Sequence, residues 1–320
     1  MIKADVLKKS QSLLALFVLM VLLTIFTDSF LSTENMWNVL RQVSINLCLS
    51  VGMTLVIISS GIDLSVGAIL AFSGAVCAGL LKWGIPIEAF DLWIGFTVLG
   101  AVIAASLVGY LLGWFNGWVI TKFTVPPFVA TLAMLTIARG MSYLYTQGKP
   151  ISNLGEGFEF IGSGWWLGIP VPVWISVGVV LIFVFITKKT SLGRFIYAIG
   201  GNERAALLSG VPVKKVKRLV YAISGLMAAI GGVLITSRLN SAQPNAGMSY
   251  ELDAIAAIVI GGTSLSGGKG SVMGTVLGVL LIGVLNNGLV LLNVSPFWQQ
   301  VVKGLVILLA VVIDKSNKKS

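Results

Sequence analysis

Histidine is missing from all 320 residues. That single absence excludes a Ser-His-Asp triad, a histidine-ligated zinc and a histidine proton relay. Charge is nearly as scarce: Asp, Glu, Lys and Arg make up 11% of the chain, against roughly 25% in a soluble domain. Cysteine occurs twice, at Cys48 and Cys77. Both lie in apolar runs without metal-type spacing and read as small core residues. The few acids are not clustered, so no metal site and no credible general base is offered. Apolar residues are abundant: 56% of the chain is hydrophobic, 37 residues are Gly, and the mean hydropathy is +0.96. Such a chain cannot clothe itself in a wetted surface. A soluble enzyme and an extended disordered chain are excluded, and an integral membrane protein is expected.

A spanning helix needs about 20 residues to cross about 30 Å of hydrocarbon. The apolar runs are continuous rather than alternating, which favours helices over barrel strands. Spans are expected near 13–31, 43–60, 67–83, 92–113, 126–146, 173–187, 219–237, 252–266, 271–292 and 298–313. The first, following Lys3, Lys8 and Lys9, reads as an uncleaved span. The expected fold class is therefore all-α, a polytopic membrane protein of about ten transmembrane helices forming a single domain over 1–320.

The net charge of +10 reads as basic loops on the cytoplasmic side rather than as a nucleic-acid surface. With both termini cytoplasmic, one side collects Lys3, Lys8, Lys9, Lys122, eight cations of the 188–218 loop, Lys269, Lys315, Lys318 and Lys319. Asp28, Glu34, Glu88, Asp91, Glu156, Glu159 and Glu251 fall on the other side, with only the cations Arg41, Lys82, Lys149 and Arg238. Gly109, Gly113 and Gly117 form one small-residue stripe, and Gly274 with Gly278 another. Such stripes let helices approach closely in lipid.

The 188–218 loop contains Gly200-Gly201-Asn202-Glu203-Arg204-Ala205-Ala206-Leu207-Leu208-Ser209-Gly210. Asn202 is placed to cap a short helix, Glu203 suits its first turn, and Gly210 ends it. An ordinary capped surface helix and an element that docks in a partner's groove both fit. In Gly61-Ile62-Asp63-Leu64-Ser65-Val66-Gly67, Asp63 or Ser65 caps the following span or takes part in conduction. The stretch Gly261–Gly270 suggests a phosphate loop, but the Gly-Lys-Ser/Thr ending is absent and no strand precedes it. Its Gly-x-x-Leu-Ser-x-Gly matches that of 61–67, by chance or as a second helix break. Arg139 lies inside a span and needs carbonyls, water or an acid; Lys303 sits nearer an outer span end, where it can snorkel, and reads as structural. Asn46, Asn116, Asn286 and Asn287 either bond helix to helix or line a polar path.

As a set, the 61–67 and 200–210 motifs, Ser241-Ala-Gln-Pro-Asn-Ala-Gly247, Tyr250–Ala257, Gly261–Gly270 and Leu285-Asn-Asn-Gly288 resemble the permease subunits of bacterial ribose ABC importers, over nearly the whole chain. The resemblance implies a multi-pass inner-membrane permease, used as a pair. It also implies a cytoplasmic ATP-binding subunit as motor and a periplasmic ribose-binding protein that delivers the sugar. This chain then needs no cofactor or metal and does no catalysis. The resemblance maps the coupling contact onto Asn202, Glu203, Arg204, Ala205, Ala206 and Gly210, without the full Glu-Ala-Ala form of other importer classes. Candidates for the translocation path or its helix breaks are Asn46, Asp63, Ser65, Arg139, Asn286 and Asn287. The cargo is D-ribose, or alternatively another pentose, a hexose or a sugar-like signal molecule. An ion-coupled secondary transporter is a further alternative, for which Asp63 and Asp253 are the embedded carboxylates available.

Overall fold

The computed structural model describes residues 2–87 and 92–316. Glu88, Asp91, Lys318 and Lys319 lie outside the described residues, as do the side chains of Lys3, Lys8, Lys9 and Lys315. In chain order the elements are α1 (Ile2–Phe26), α2 (Thr33–Ile58), α3 (Val66–Lys82), β1 (Ile85–Ile87), β2 (Leu92–Ile94), α4 (Val98–Phe123) and α5 (Pro127–Thr146). There follow β3 (Ile151–Ser152), α6 (Glu156–Ser163), β4 (Trp165–Trp166), β5 (Ile169–Pro170), α7 (Val171–Lys189), α8 (Ser191–Gly201) and α9 (Glu203–Leu208). The last are α10 (Val213–Arg238), β6 (Ser241–Ala242), α11 (Tyr250–Ile260), α12 (Val272–Leu291) and α13 (Pro296–Ser316). The β pieces form three antiparallel pairs, β1 with β2, β3 with β6 and β4 with β5.

A helix coincides with each expected span, and α2, α4, α5, α7, α10 and α12 are long and apolar enough to cross a membrane. Local chemistry sets the boundaries. Ser32 accepts from the Asn35 amide and starts α2 well before the expected position. The expected span at 92–113 is corrected at its start: 92–94 is a strand, and Thr97 caps α4 by accepting from the Gly100 amide. Pro127 then sits in the first turn of α5, where its missing N–H costs nothing. The 252–266 span shrinks to the 11 residues of α11, because the chain turns at Gly261 and Gly262, the latter at φ +86.

The chain divides into two compact units, 1–60 with 178–213 and 252–320, and 61–177 with 214–251. In the first unit, α12 packs against α1 and α2, and α8 packs on α2. Two polar contacts fix the α2–α12 register. Thr54 and Thr275 share a hydroxyl hydrogen bond of 2.7 Å, and the Asn35 and Asn287 carboxamides exchange bonds of 3.0 and 2.8 Å. Gly274 and Gly278 lie against Gly261 and Ala257, so α11 approaches α12 backbone to backbone. Cys48 is buried in α2.

In the second unit, α3 packs on both α4 and α5. The Gly109, Gly113 and Gly117 stripe lies directly on α10, against Gly225, Tyr221 and Arg218. The stripe is thus intrachain packing, and side chains at these positions would collide with main chain that cannot yield. Gly113→Val is expected to destabilise the unit by about 1–3 kcal/mol or more. A lowered unfolding midpoint of the purified variant in detergent checks this, with Gly140→Val, where the added atoms meet open space, as the neutral control.

Candidate functional site

The connector 190–212 carries two helices where the sequence pattern shows one. Thr190 caps α8 by accepting from the Gly193 amide, and Ile196 and Ile199 bury one face. The helix ends against the first unit's other loops. Gly200 lies on the Ile58 carbonyl, the Gly268 amide donates to that same carbonyl at 2.9 Å, and the Ser60 hydroxyl reaches the carbonyls of Gly200 and Ser266. Tyr197 donates to the Gly270 carbonyl at 2.8 Å. The Gly261–Gly270 stretch, which fails as a phosphate loop, thus serves as a seat for α8.

On that base, α9 is capped by Asn202, whose Oδ1 accepts from the Ala205 amide at 2.9 Å. Gly210, at φ +82, closes the other end with the Val211 amide bonded to the Ala206 carbonyl. Asn202, Glu203, Arg204 and Ala205 are exposed and Ala206 is buried. Leu207 and Leu208 are 60% and 87% exposed. These leucines were missed in reading the motif. Their signal was an apolar pair at the end of an otherwise polar capped helix.

In the second unit, Asp63 is fully buried at the head of α3. One carboxylate oxygen accepts from the Ser65 amide at 3.0 Å and its hydroxyl at 2.6 Å; the other accepts from Ser224 of α10 at 2.8 Å. Asn116 of α4 donates to Ser65 at 3.0 Å, and Thr131 of α5 to the Ile62 carbonyl at 3.2 Å. One carboxylate therefore ties α3, α4 and α10 together through short, fixed donors. Ser65 stands at the N-cap of α3 but spends its hydroxyl on Asp63; the Asp63 side chain receives the open amide instead.

Arg139 of α5 finds carbonyls. Its guanidinium donates at 2.8 Å to both Pro244 and Ala246. Ser142 adds a longer bond to the Pro244 carbonyl, at 3.4 Å.

In the first unit, Lys303 does not snorkel. Its ammonium pairs with Asp253 at 2.9 Å, with the carboxylate 5% exposed, and Asn286 also engages that carboxylate. Reading Lys303 and Asp253 separately missed the pair, which joins residues 50 apart. Asn287 bonds helix to helix through Asn35, whereas Asn46 Oδ1 and Ser50 Oγ of α2, and Asn286 Oδ1, are buried without a hydrogen-bond partner among the described residues. Removing one partner of a buried pair strands a charge, at a cost of about 3–5 kcal/mol, while removing both is far milder. Accordingly, Lys303→Met and Asp253→Asn are each expected to lower thermal stability more than the double variant. Additive losses in a double-mutant cycle would contradict this.

These features together define a polytopic membrane protein with polar networks inside its spans and a capped, exposed short helix, the makings of a permease. The family described as "Branched-chain amino acid transport system / permease component" matches residues 35–311, and the chain belongs to it. It is 51% identical over 314 residues to the ribose import permease protein RbsC of Bacillus subtilis, covering 98% of this chain and 94% of that one. Identity to the Escherichia coli K12 protein of the same name is 47%, covering 98% and 95%. The xylose transport system permease protein XylH of Haemophilus influenzae is 36% identical, covering 96% of each. No solved structure matches.

Proposed function

We propose that this chain is the membrane-spanning permease subunit of an ATP-binding cassette importer that carries D-ribose across the bacterial inner membrane. It works as a pair of copies with both termini in the cytoplasm and about ten crossings. A cytoplasmic ATPase supplies the motor and a periplasmic binding protein delivers the sugar. The observation that carries this reading is the end-to-end identity to a ribose import permease, 51% over 98% of the chain. The weaker likeness to a xylose permease ranks another pentose second.

The α9 geometry supports the coupling role. A capped six-residue helix that leaves Leu208 87% exposed is finished only when a partner covers it. Burying one leucine contributes about 1.5–3 kcal/mol, or roughly 10- to 100-fold in affinity. The packing of α9 on α8, and the seat of α8 on the end of α2 and on 266–270, give a force on α9 a stiff route into the first unit. Ion coupling needs an embedded carboxylate able to load and release an ion. Asp63 is instead held by two serines and Asp253 by a lysine, which favours the ATP-driven reading.

Reconstituted with its ATPase and binding protein, the complex is expected to take up labelled ribose only with ATP, and in preference to xylose and arabinose. Uptake that needs an ion gradient and no ATP would overturn the proposal. Leu208→Asp is expected to lower ATPase co-purification by about tenfold or more, and Glu203→Lys to weaken it, with membrane insertion unchanged for both. Equal co-purification with the unsubstituted chain would remove α9 from the coupling contact.

A further inference from the structure

The segment 243–249, between β6 and α11, belongs to the second unit and has no regular structure. Its depth is set by the helices beside it. α3 and α5 run side by side, with Gly79 against Tyr145 at one end and the Ile62 carbonyl bonded to Thr131 towards the other. Arg139, which holds the Pro244 and Ala246 carbonyls, lies about 18 Å from the first residue of α5 and about 10 Å from the last, at 1.5 Å per residue. Gly247 lies deeper still, against Gly67 in the first turn of α3, about 18 Å along that helix from Gly79. From β6, which pairs with β3 just beyond the end of α5, the segment thus descends past Ser142 and Arg139 to Gly247, well inside the thickness that α5 spans, and α11 starts there rather than at a membrane surface.

Such backbone is tolerated at that depth only where protein buries it or where it lines a water-filled cavity. Here protein buries part of it. Pro244 and Gly247 are buried, with Arg139 closing the freed carbonyls, while Gln243 and Asn245 are exposed, as is Met248. Two neutral carboxamides facing hydrocarbon would forgo every hydrogen bond they are built to make. Each carboxamide offers a donor and an acceptor, the pairing a sugar hydroxyl also offers, and neither repels a neutral solute.

Resting on the importer reading above, we infer that Gln243 and Asn245 line the sugar's water-filled route and hydrogen-bond its hydroxyls in transit, with Arg139 as the positioning residue that holds their loop at depth.

The test uses the assembled complex with its ATPase and binding protein. Cys48 and Cys77 are buried, so introduced thiols are read against a quiet background. Gln243→Cys and Asn245→Cys are expected to react with a membrane-impermeant methanethiosulfonate roughly tenfold faster than Ile137→Cys, an exposed apolar position on α5, because the thiolate forms only in water. Gln243→Ala and Asn245→Ala are expected to slow ribose uptake by about tenfold, the scale of one lost hydrogen bond, and to change the ribose-to-xylose uptake ratio, with ATPase co-purification intact. Arg139→Lys is expected to retain more uptake than Arg139→Ala, since it restores a donor to the loop carbonyls. Labelling no faster than at Ile137→Cys would mean that lipid or a second chain covers this face, and would overturn the proposal. So would unchanged uptake and selectivity in both alanine variants. Failure of the unsubstituted complex to move ribose would instead refute the importer reading itself.

Discussion

A polar backbone group at membrane depth must find a partner inside the protein, because hydrocarbon offers none. The helices meet that requirement by themselves; the places where they break cannot. Each break described here is closed by a specific device. Asp63 receives the open amide ahead of α3, and the Arg139 guanidinium takes two carbonyls of 243–249. The glycine-rich 261–270 segment bonds to the end of α2 and to Tyr197. Asp63 and Arg139, two of the few charged residues that composition allows, are spent on such breaks.

Both units bring helices together by glycine against backbone, α11 with α12 in the first and α4 with α10 in the second, but their polar ties differ. In the second, a single carboxylate knots three helices. The first relies on paired side chains of like kind, threonine with threonine and asparagine with asparagine, together with the Lys303–Asp253 pair. Dispersion and hydrogen bonding carry such contacts, since lipid is as apolar as the helix faces and gives no hydrophobic drive for association.

Much of the architecture was legible in the sequence because lipid imposes one strong rule, a long apolar run for each crossing helix. The runs near 67–83, 126–146 and 271–292 coincide with α3, α5 and α12 within a residue or two. The α9 helix was legible too, since capping is local: Asn202 and Gly210 announce its ends. What stayed hidden depends on contacts between distant residues. Nothing near Lys303 points to Asp253, and nothing near Arg139 points to Pro244. The amphipathic α8 was overlooked because a basic loop masks an isoleucine pair three residues apart. The start at 92 failed because a hairpin strand and a helix look alike as short apolar runs.

The fit of Gly200 on Ile58 and Gly268 has an evolutionary corollary. A methyl group at position 200 would act as a shim, prying α8 from two segments that lie far from it in the chain. The freedom to mutate there is set by backbone already occupied by others, so drift at 200 must wait for drift at the end of α2 or in the 266–270 turn. Positions scattered across the gene are bound to change together or not at all.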